Sequence, residues 1–422
     1  MRGTCSTFCI VGVPWELSEP SGIMSSSEIS SPLSGSFEFQ PRTRVVFGEN
    51  AIERIGQYVL EIGGKRVLLV TDPGIKAAGH ADRVQAIIEA AGVHVTLFDR
   101  VQENPTTRCV KACVDVARQA KIDLLVGLGG GSSMDTAKGC NFILTNGGEM
   151  KDYWGVGKAR LPMLPLIAIP TTGGTGSECQ SFAVISDEHS HQKMACGDPK
   201  AAARVALLDP LLTLSQPPKV TACTGIDAVA HAVETAVTRK RTAVSFLFSR
   251  EAFKLTVLAL PRVLASPGDL EARGSMLLGA AWAGTAIENS MLGAAHSAAN
   301  PLTAHFDIAH GLAVGLMLPH VVRFNTLESQ SARAYADLAA AAGIVGGDAS
   351  PALAAEQLAQ RLEGIIRATG LPASLTECGV DRESIAELSR EASAQWTAQF
   401  NPRPVTAADF EGLYLQAFDR VS

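Results

Sequence analysis

Ile122-Asp-Leu-Leu-Val-Gly-Leu-Gly-Gly-Gly-Ser-Ser-Met-Asp-Thr-Ala-Lys138 is the stretch on which the fold turns. It opens with an apolar run of strand length, Ile122–Leu128, that does not alternate with polar residues. Such a run fits a strand buried on both faces. It passes through the glycine-rich turn Gly127-Leu-Gly-Gly-Gly-Ser132 into a helical pattern, Ser132–Leu144. Outward from this unit the same rhythm repeats. Ala51–Ile62 has helical spacing and stops at Gly63-Gly64. Val67–Thr71 reads as a strand, Asp82–Ala91 as a helix, His94–Phe98 as a strand and Thr106–Ala120 as a helix. Leu164–Ile169 is another buried strand. Strands alternating with helices predict an α/β domain over 39–215: a parallel, Rossmann-like sheet covered by helices on both faces.

From Pro218 onward the rhythm changes. Helical patterns cover Thr221–Thr238, Ala243–Leu264, Leu270–Asn289, His310–Phe324, Gln330–Ala342 and Pro351–Ala368, and strand-like runs are scarce. The reading is a second, all-α domain over 216–422. At 422 residues the chain is long enough for two domains of about 100–200 residues each. Residues 1–38 read as a disordered extension, because Ser18–Phe37 is rich in Ser, Pro and Gly. Met24 is a candidate start within it.

The glycine-rich turn suits a nucleotide. Glycines let the backbone approach a ligand, and the helix that follows offers free N–H groups and a positive dipole end to a pyrophosphate. The pattern is not the usual G-x-G-x-x-G, since Ser132 holds the third glycine position. Alone, it fits a structural tight turn as well. A second turn, Pro170-Thr-Thr-Gly-Gly-Thr-Gly-Ser-Glu178, strengthens the nucleotide reading. It also follows a buried strand, and the hydroxyls of Thr171, Thr172 and Thr175 can meet phosphate or ribose oxygens. The chain contains no G-x-S-x-G, which removes a serine-hydrolase reading. Asp72, closing the strand at Val67–Asp72, is placed to bind ribose hydroxyls and repel a 2′-phosphate, which favours NAD over NADP. The competing reading is an ordinary Asp-Pro-Gly turn.

Asp227 and His231 stand at i and i+4 in Thr224-Gly-Ile-Asp-Ala-Val-Ala-His231, so one helix face carries both. His296 lies near the end of an apolar helical stretch, and His310 opens the next helix. One carboxylate and three imidazoles in an apolar, Ala- and Gly-rich region suit a divalent first-row ion, Fe²⁺ or Zn²⁺. Each pair alone also fits a satisfied core or helix-end role. His305 and His320 read as structural or supporting residues, and His80, His94, His189 and His191 as solvated.

Composition narrows the function class. The formal net charge is −6 without a long basic run, which argues against a nucleic-acid partner. No apolar stretch reaches the roughly 18–20 residues needed to span a bilayer, so no membrane partner is expected. Nine cysteines without a framework read as reduced thiols of a cytoplasmic protein.

Taken together, these motifs resemble the iron-containing (group III) alcohol dehydrogenase family. The likeness runs from Arg42 to Phe418. It is carried by Gly129–Lys138, Ile169–Glu178, Gly225–Glu234, Gly293–Gly311 and Asn401-Pro-Arg-Pro404. The resemblance implies a metal on Asp227, His231, His296 and His310. It implies NAD contacts from Asp72, Asn104, Gly130, Gly131, Ser132, Ser133, Asp135, Thr171, Thr172, Thr175 and Lys193. It also implies Fe²⁺, with Zn²⁺ or another divalent metal as the alternative, a small alcohol or aldehyde as substrate, and a homo-oligomer, a dimer at family level. One position departs from the pattern: Asn300 stands where many members carry a histidine four residues after the third ligand. An amide cannot shuttle a proton near neutral pH, so no catalytic residue beyond the metal ligands is assigned. Trp282, Glu288, Asn289 and Phe306 are candidates to line the pocket. The same fold also admits a dehydroquinate-synthase-like lyase or a maleylacetate-reductase-like enzyme. A silent nucleotide-binding scaffold is the alternative from another class.

Overall fold

The apolar run Val67–Val70 is fully buried because both of its faces are covered. In the computed structural model, which describes residues 36–188 and 192–419, it lies in β2 (Arg66–Val70). The strands are β1 (Arg44–Phe47), β2, β3 (His94–Phe98), β4 (Leu124–Gly129), β5 (Gly155–Val156), β6 (Leu166–Pro170), β7 (Phe182–Ser186), β8 (Lys193–Gly197) and β9 (Val205–Leu208). The main sheet is six-stranded and parallel throughout, in the order β1-β9-β6-β4-β2-β3. A smaller sheet, β5-β8-β7, sits beside it.

Between the strands run α1 (Ile55–Ile62), α2 (Pro73–Ala77), α3 (His80–Ala90), α4 (Thr107–Ala120) and α5 (Gly131–Asn146). Alternate side chains of the strands feed two separate cores. Val67, Leu69, Leu124 and Val126 pack with Tyr58, Val59, Val84 and Ile88 of α1 and α3. Leu68, Val70 and Leu125 pack with Val110, Val114, Met134 and Ala137 of α4 and α5. This is the doubly wound, Rossmann-like arrangement expected. The order of strand addition reverses between β2 and β4: β3 is added on one side, β6 and β9 on the other. A crevice opens there at the strand C-termini, the usual place for a nucleotide.

The rest of the chain is helical: α6 (Pro218–Thr235), α7 (Ala243–Ala265), α8 (Leu270–Glu288), α9 (Ala294–Phe306), α10 (His310–Asn325), α11 (Ser329–Ala341), α12 (Pro351–Ala368), α13 (Ile385–Ala394) and α14 (Ala407–Phe418). They share one core rich in alanine, which lets helix axes approach closely. No helix among the described residues is long and apolar enough to cross a membrane. The sheet half and the helical half belong to one compact unit from Phe37 onward.

Several elements differ from the sequence reading. The short edge strand β1 begins on an arginine and is too brief to show a period. β7 and β8 follow on the second glycine-rich turn, where turn signals mask them, and β9 is only four residues long. His296 does not end a helix. The apolar stretch breaks after Glu288, Met291 adopts φ 159°, and α9 starts at Ala294, which puts His296 in its first turn. The expected extension over 1–38 lies outside the described residues up to 35, as do the candidate start Met24, His189 and His191.

The two halves meet at glycines. A Cβ on Gly284 of α8 would stand 2.1 Å from the carbonyl oxygen of Gly176, and one on Gly174 would stand 2.3 Å from Cβ of Thr224 in α6. Replacing Gly284 with Ala should therefore lower stability by about 1–3 kcal/mol through overpacking. Gly364→Ala in α12, where a Cβ meets nothing within 4 Å, should instead raise it by about 0.5–1 kcal/mol. Urea unfolding of the two variants measures both, and equal effects would contradict the close docking.

Candidate active site

The Pro at the start of α6 pre-sets its first turn, and the helix runs unbroken through Thr235. Its stripe at i, i+4 and i+7 carries Asp227, His231 and Glu234, all buried. α9 brings His296 to this stripe, and α10 brings His310 at its first residue. Nε2 of His231 and of His296 each lie 3.4 Å from Asp227 Oδ1, and His310 Nε2 lies 4.0 Å away. The rings of His231 and His296 stack at 4.9 Å, and His310 tilts against His296 at 5.4 Å. The structure thus gathers all four residues expected from the sequence. Asp227, His231 and His296 form the tightest group that could hold an ion.

The donors are poised and unsatisfied. Asp227 Oδ1 and His296 Nε2 are buried and have no hydrogen-bond partner; their 3.4 Å separation is not matched by hydrogen-bond geometry. Leaving such atoms orphaned costs about 1–3 kcal/mol each, more if charged, unless something stands between them. A divalent cation fits: one anionic oxygen and converging imidazole nitrogens in an apolar shell.

Electrostatics agree. Burial opposes ionisation of Asp227, but the surrounding imidazoles of His231, His296 and His310 outweigh it and hold the carboxyl well below its ordinary range. Burial lowers His231, and pushes His310 down to about 3 with help from Lys193, so both present lone pairs. Burial acts the same way on His296, yet Glu234 and Asp227 overcome it and push His296 up to about 9. A cation bound there would take the place of that proton, as metal binding to histidine generally does.

Glu234 is the supporting residue that the sequence reading passed over. Its Oε2 faces His296 Nδ1 in a short hydrogen bond, and its Oε1 accepts from Ala295 N at 2.7 Å. The Nδ1 proton is thereby fixed, and Nε2 is left to face Asp227. The i+7 spacing from Asp227 was the available signal. Asn401 of the Asn-Pro-Arg-Pro segment ties the helices together: Oδ1 accepts from Asn325 Nδ2 at 3.0 Å and Ala294 N at 3.4 Å, and Nδ2 donates to Asn325 Oδ1 at 2.8 Å. Gly311 lets α10 reach α6, since a Cβ there would stand 1.9 Å from Cys223 O.

The nucleotide side lies at the strand C-termini. β4 pairs β6 with Gly129 opposite Pro170, so the two glycine-rich turns are neighbours, joined by Thr171 N donating to Gly129 O at 3.0 Å. Gly129 has φ +142°, and a Cβ there would collide with Ser133 Oγ at 2.5 Å. Gly130 caps α5 without a side-chain hydrogen bond, and Gly131, Ser132 and Ser133 form its first turn. The hydroxyls of Thr171 and Thr172 are buried and unpartnered. Asp72 combines its two readings: Oδ1 caps α2 by accepting from Ile75 N at 3.0 Å, while Oδ2 stands 3.5 Å from Ser133 Oγ at the switch point. Asn104 is exposed with φ +50°. Thr175 packs over Gly131. Asp135 is engaged within the protein, accepting from Ser177 Oγ at 2.7 Å and Val184 N at 3.1 Å. The fully buried Lys138 donates to Ser177 O and Oγ and to Phe182 O, so this network locks α5 to the second turn. Lys193 opens β8, and burial pushes its amine below its ordinary value.

A family model described as iron-containing alcohol dehydrogenase matches residues 41–210, and the model of that family's C-terminal region matches 221–418. The chain belongs to the iron-containing alcohol dehydrogenases. The NAD-dependent methanol dehydrogenase of Bacillus methanolicus is 36% identical over 364 residues, which cover 86% of this chain and 95% of that one. The 1,3-propanediol dehydrogenase of Klebsiella pneumoniae is 32% identical over 374 residues, 88% of this chain and 96% of its own. Among solved structures, a 1,3-propanediol oxidoreductase superposes with a TM-score of 0.87 at 31% identity, covering 91% of this chain and all of the other.

Other candidates of this dehydrogenase fall elsewhere. His305 pairs with Glu391 at 2.9 Å in an exposed position. His320 is buried in the helical core, where burial and Arg323 push it down to about 4. His80 bonds Ser215 Oγ at 2.8 Å. Glu288 is a brace, accepting from Ser181 N and Oγ and pairing with Arg42. Asn289 bonds Thr285 O, while Trp282 and Phe306 pack against the helical core. Removing the Glu234 carboxylate as Glu234→Gln should weaken metal affinity about 10–100-fold while the fold persists. Competition with a chelator, read by metal content, measures the loss; unchanged affinity would refute the orienting role.

Proposed function

We propose that this enzyme moves hydride between NAD(H) and a small alcohol or aldehyde at a divalent metal held by Asp227, His231, His296 and His310, with Fe²⁺ as the resident ion. The observation that carries this reading is the pair of buried, unpartnered atoms Asp227 Oδ1 and His296 Nε2, placed beside the crevice where the two glycine-rich turns meet. When bound, the ion supplies Lewis acidity to a substrate oxygen and the nicotinamide accepts or supplies the hydride.

The chain's own work is positioning. The N–H groups at Gly130, Gly131, Ser132 and Ser133 receive the pyrophosphate. Asp72 Oδ2 accepts from the adenosine ribose. Thr171 and Thr172 turn their free hydroxyls to the cofactor, and Asn104, in the loop after β3, and Lys193, at the start of β8, close on it. Asp135 and Thr175 hold the turns in the shape that makes those contacts. Glu234 keeps His296 in one tautomer and the buried shell excludes water. The intact donor set disfavours the metal-free reading, and a dehydroquinate-synthase-like lyase would need a phosphate-binding basic cluster in the helical half that the sequence does not offer near the ligands. Homo-oligomeric assembly and a cytoplasmic location belong to the same proposal, the latter supported by the free cysteines, among them the buried Cys109, Cys113, Cys140 and Cys196.

An anaerobic activity panel over alcohols and aldehydes, with NADH or NADPH and with each metal added back to chelated enzyme, is the direct test. Turnover should require a divalent ion, be highest with Fe²⁺ and be lost in Asp227→Ala together with bound metal; full activity without metal would sink the reading. Asp72→Gly keeps a tolerable helix cap and removes a charge that repels a 2′-phosphate. It should raise the NADPH/NADH ratio of kcat/KM by roughly tenfold or more, since like-charge contacts are worth several kcal/mol. An unchanged ratio would remove Asp72 from cofactor discrimination.

A further inference from the structure

A chain of contacts leads from the ion site across to the sheet half. His296 and Asn300 stand one turn apart on the same face of α9. Asn300 Nδ2 donates to Gln395 Oε1 at 3.0 Å. The next residue, Trp396, stacks on Phe182 with ring centroids 6.0 Å apart and planes 26° apart. Phe182 belongs to the smaller sheet, whose register separates two faces. Ala183, Ile185, Met194 and Cys196 point into the core of the sheet half. Phe182, Val184, Lys193, Ala195, Gly197 and Val156 therefore share the other face. Gly197 leaves room for the Phe182 ring, because a Cβ there would stand 2.4 Å from it. Lys193 stands at the far end of this face.

We propose that Asn300, Gln395, Trp396 and Phe182 form the wall of the substrate pocket opposite the metal ligands, and that this wall sets which alcohols are accepted. The inference rests on the dehydrogenase reading above. The two rings, one from each half of the molecule, cap the space and limit the carbon chain to a few atoms. The Asn300–Gln395 bond uses one donor and one acceptor, leaving Asn300 Oδ1 and Gln395 Nε2 for a third group. An acceptor beside a donor matches a second oxygen at the far end of a short substrate, a hydroxyl or a carbonyl. The wall is chain-specific in that an amide at 300 pairs with an amide at 395.

The test uses the full-length, metal-loaded enzyme and compares kcat/KM for 1-propanol, 1-hexanol and 1,3-propanediol. Trp396→Ala should raise the hexanol-to-propanol ratio about tenfold or more, the scale set by admitting extra methylenes. Gln395→Leu, close in size but apolar, should lower the diol-to-propanol ratio by about tenfold or more, because a polar group loses its partner. Metal content and NADH affinity, by fluorescence titration, should stay near wild type in both. Should Trp396→Ala fail to fold, Trp396→Leu and Phe182→Leu address the same cap. If wild-type enzyme turns over 1-propanol and the ratios stay unchanged in folded, metal-replete variants, the wall alone is overturned. If wild-type enzyme oxidises none of the three alcohols with metal and NAD present, the dehydrogenase reading falls and the wall with it.

Discussion

A carboxylate oxygen and an imidazole nitrogen face each other at 3.4 Å in the protein interior, without a hydrogen bond between them. Much else in the helical half serves that arrangement. Buried polar atoms are tolerated only when partnered, so the structure around Asp227 and His296 must either supply a partner or hold a place for one. It does the second. Glu234 fixes the proton on the far side of His296, and Asn401 bridges the start of α9 and the end of α10. Glycine at 311 lets His310 approach α6. These are constraints on backbone position, and they explain why a site built from three helices needs small residues at the crossings.

The nucleotide side depends on the same economy of space. Glycines of the second turn have two uses. They open the backbone beside the cofactor crevice, and they let that turn press against α6 and α8. Through this contact the second turn also fixes where α6, which carries Asp227 and His231, lies. Lys138 and Asp135, buried on α5, hold the turn from its other side through Ser177. Hydride transfer needs donor and acceptor carbons within about 3–3.5 Å, and rigid coupling of the two sites is the physical means to that precision.

Legibility followed the kind of signal each element gives. Buried strands such as β2 and β4, and long helices such as α7 and α12, stood out because their apolar residues repeat with the period of their structure over many residues. β1, β7 and β8 were hidden, being short and crowded among turn residues. Asp72 shows a residue whose two readings are not exclusive: one oxygen caps a helix and the other faces Ser133. Glu288 shows the opposite. A glutamate near the expected pocket looked available for substrate, yet both oxygens are spent on Ser181 and one also on Arg42, bracing the two halves.

The sequence by itself determined the alternation that makes a doubly wound sheet, the two glycine-rich turns at strand ends, and the Asp-x-x-x-His pair. Those depend on local period and backbone freedom, which are written along the chain. Only the tertiary structure decided which helices bring His296 and His310 to that pair, that Glu234 orients His296, and that Trp396 reaches across to Phe182. Such contacts join residues far apart in the chain, as much as 214 positions between Phe182 and Trp396. They are set by how close two helices can pass, a quantity fixed by glycine and alanine at crossings rather than by any pattern along one segment.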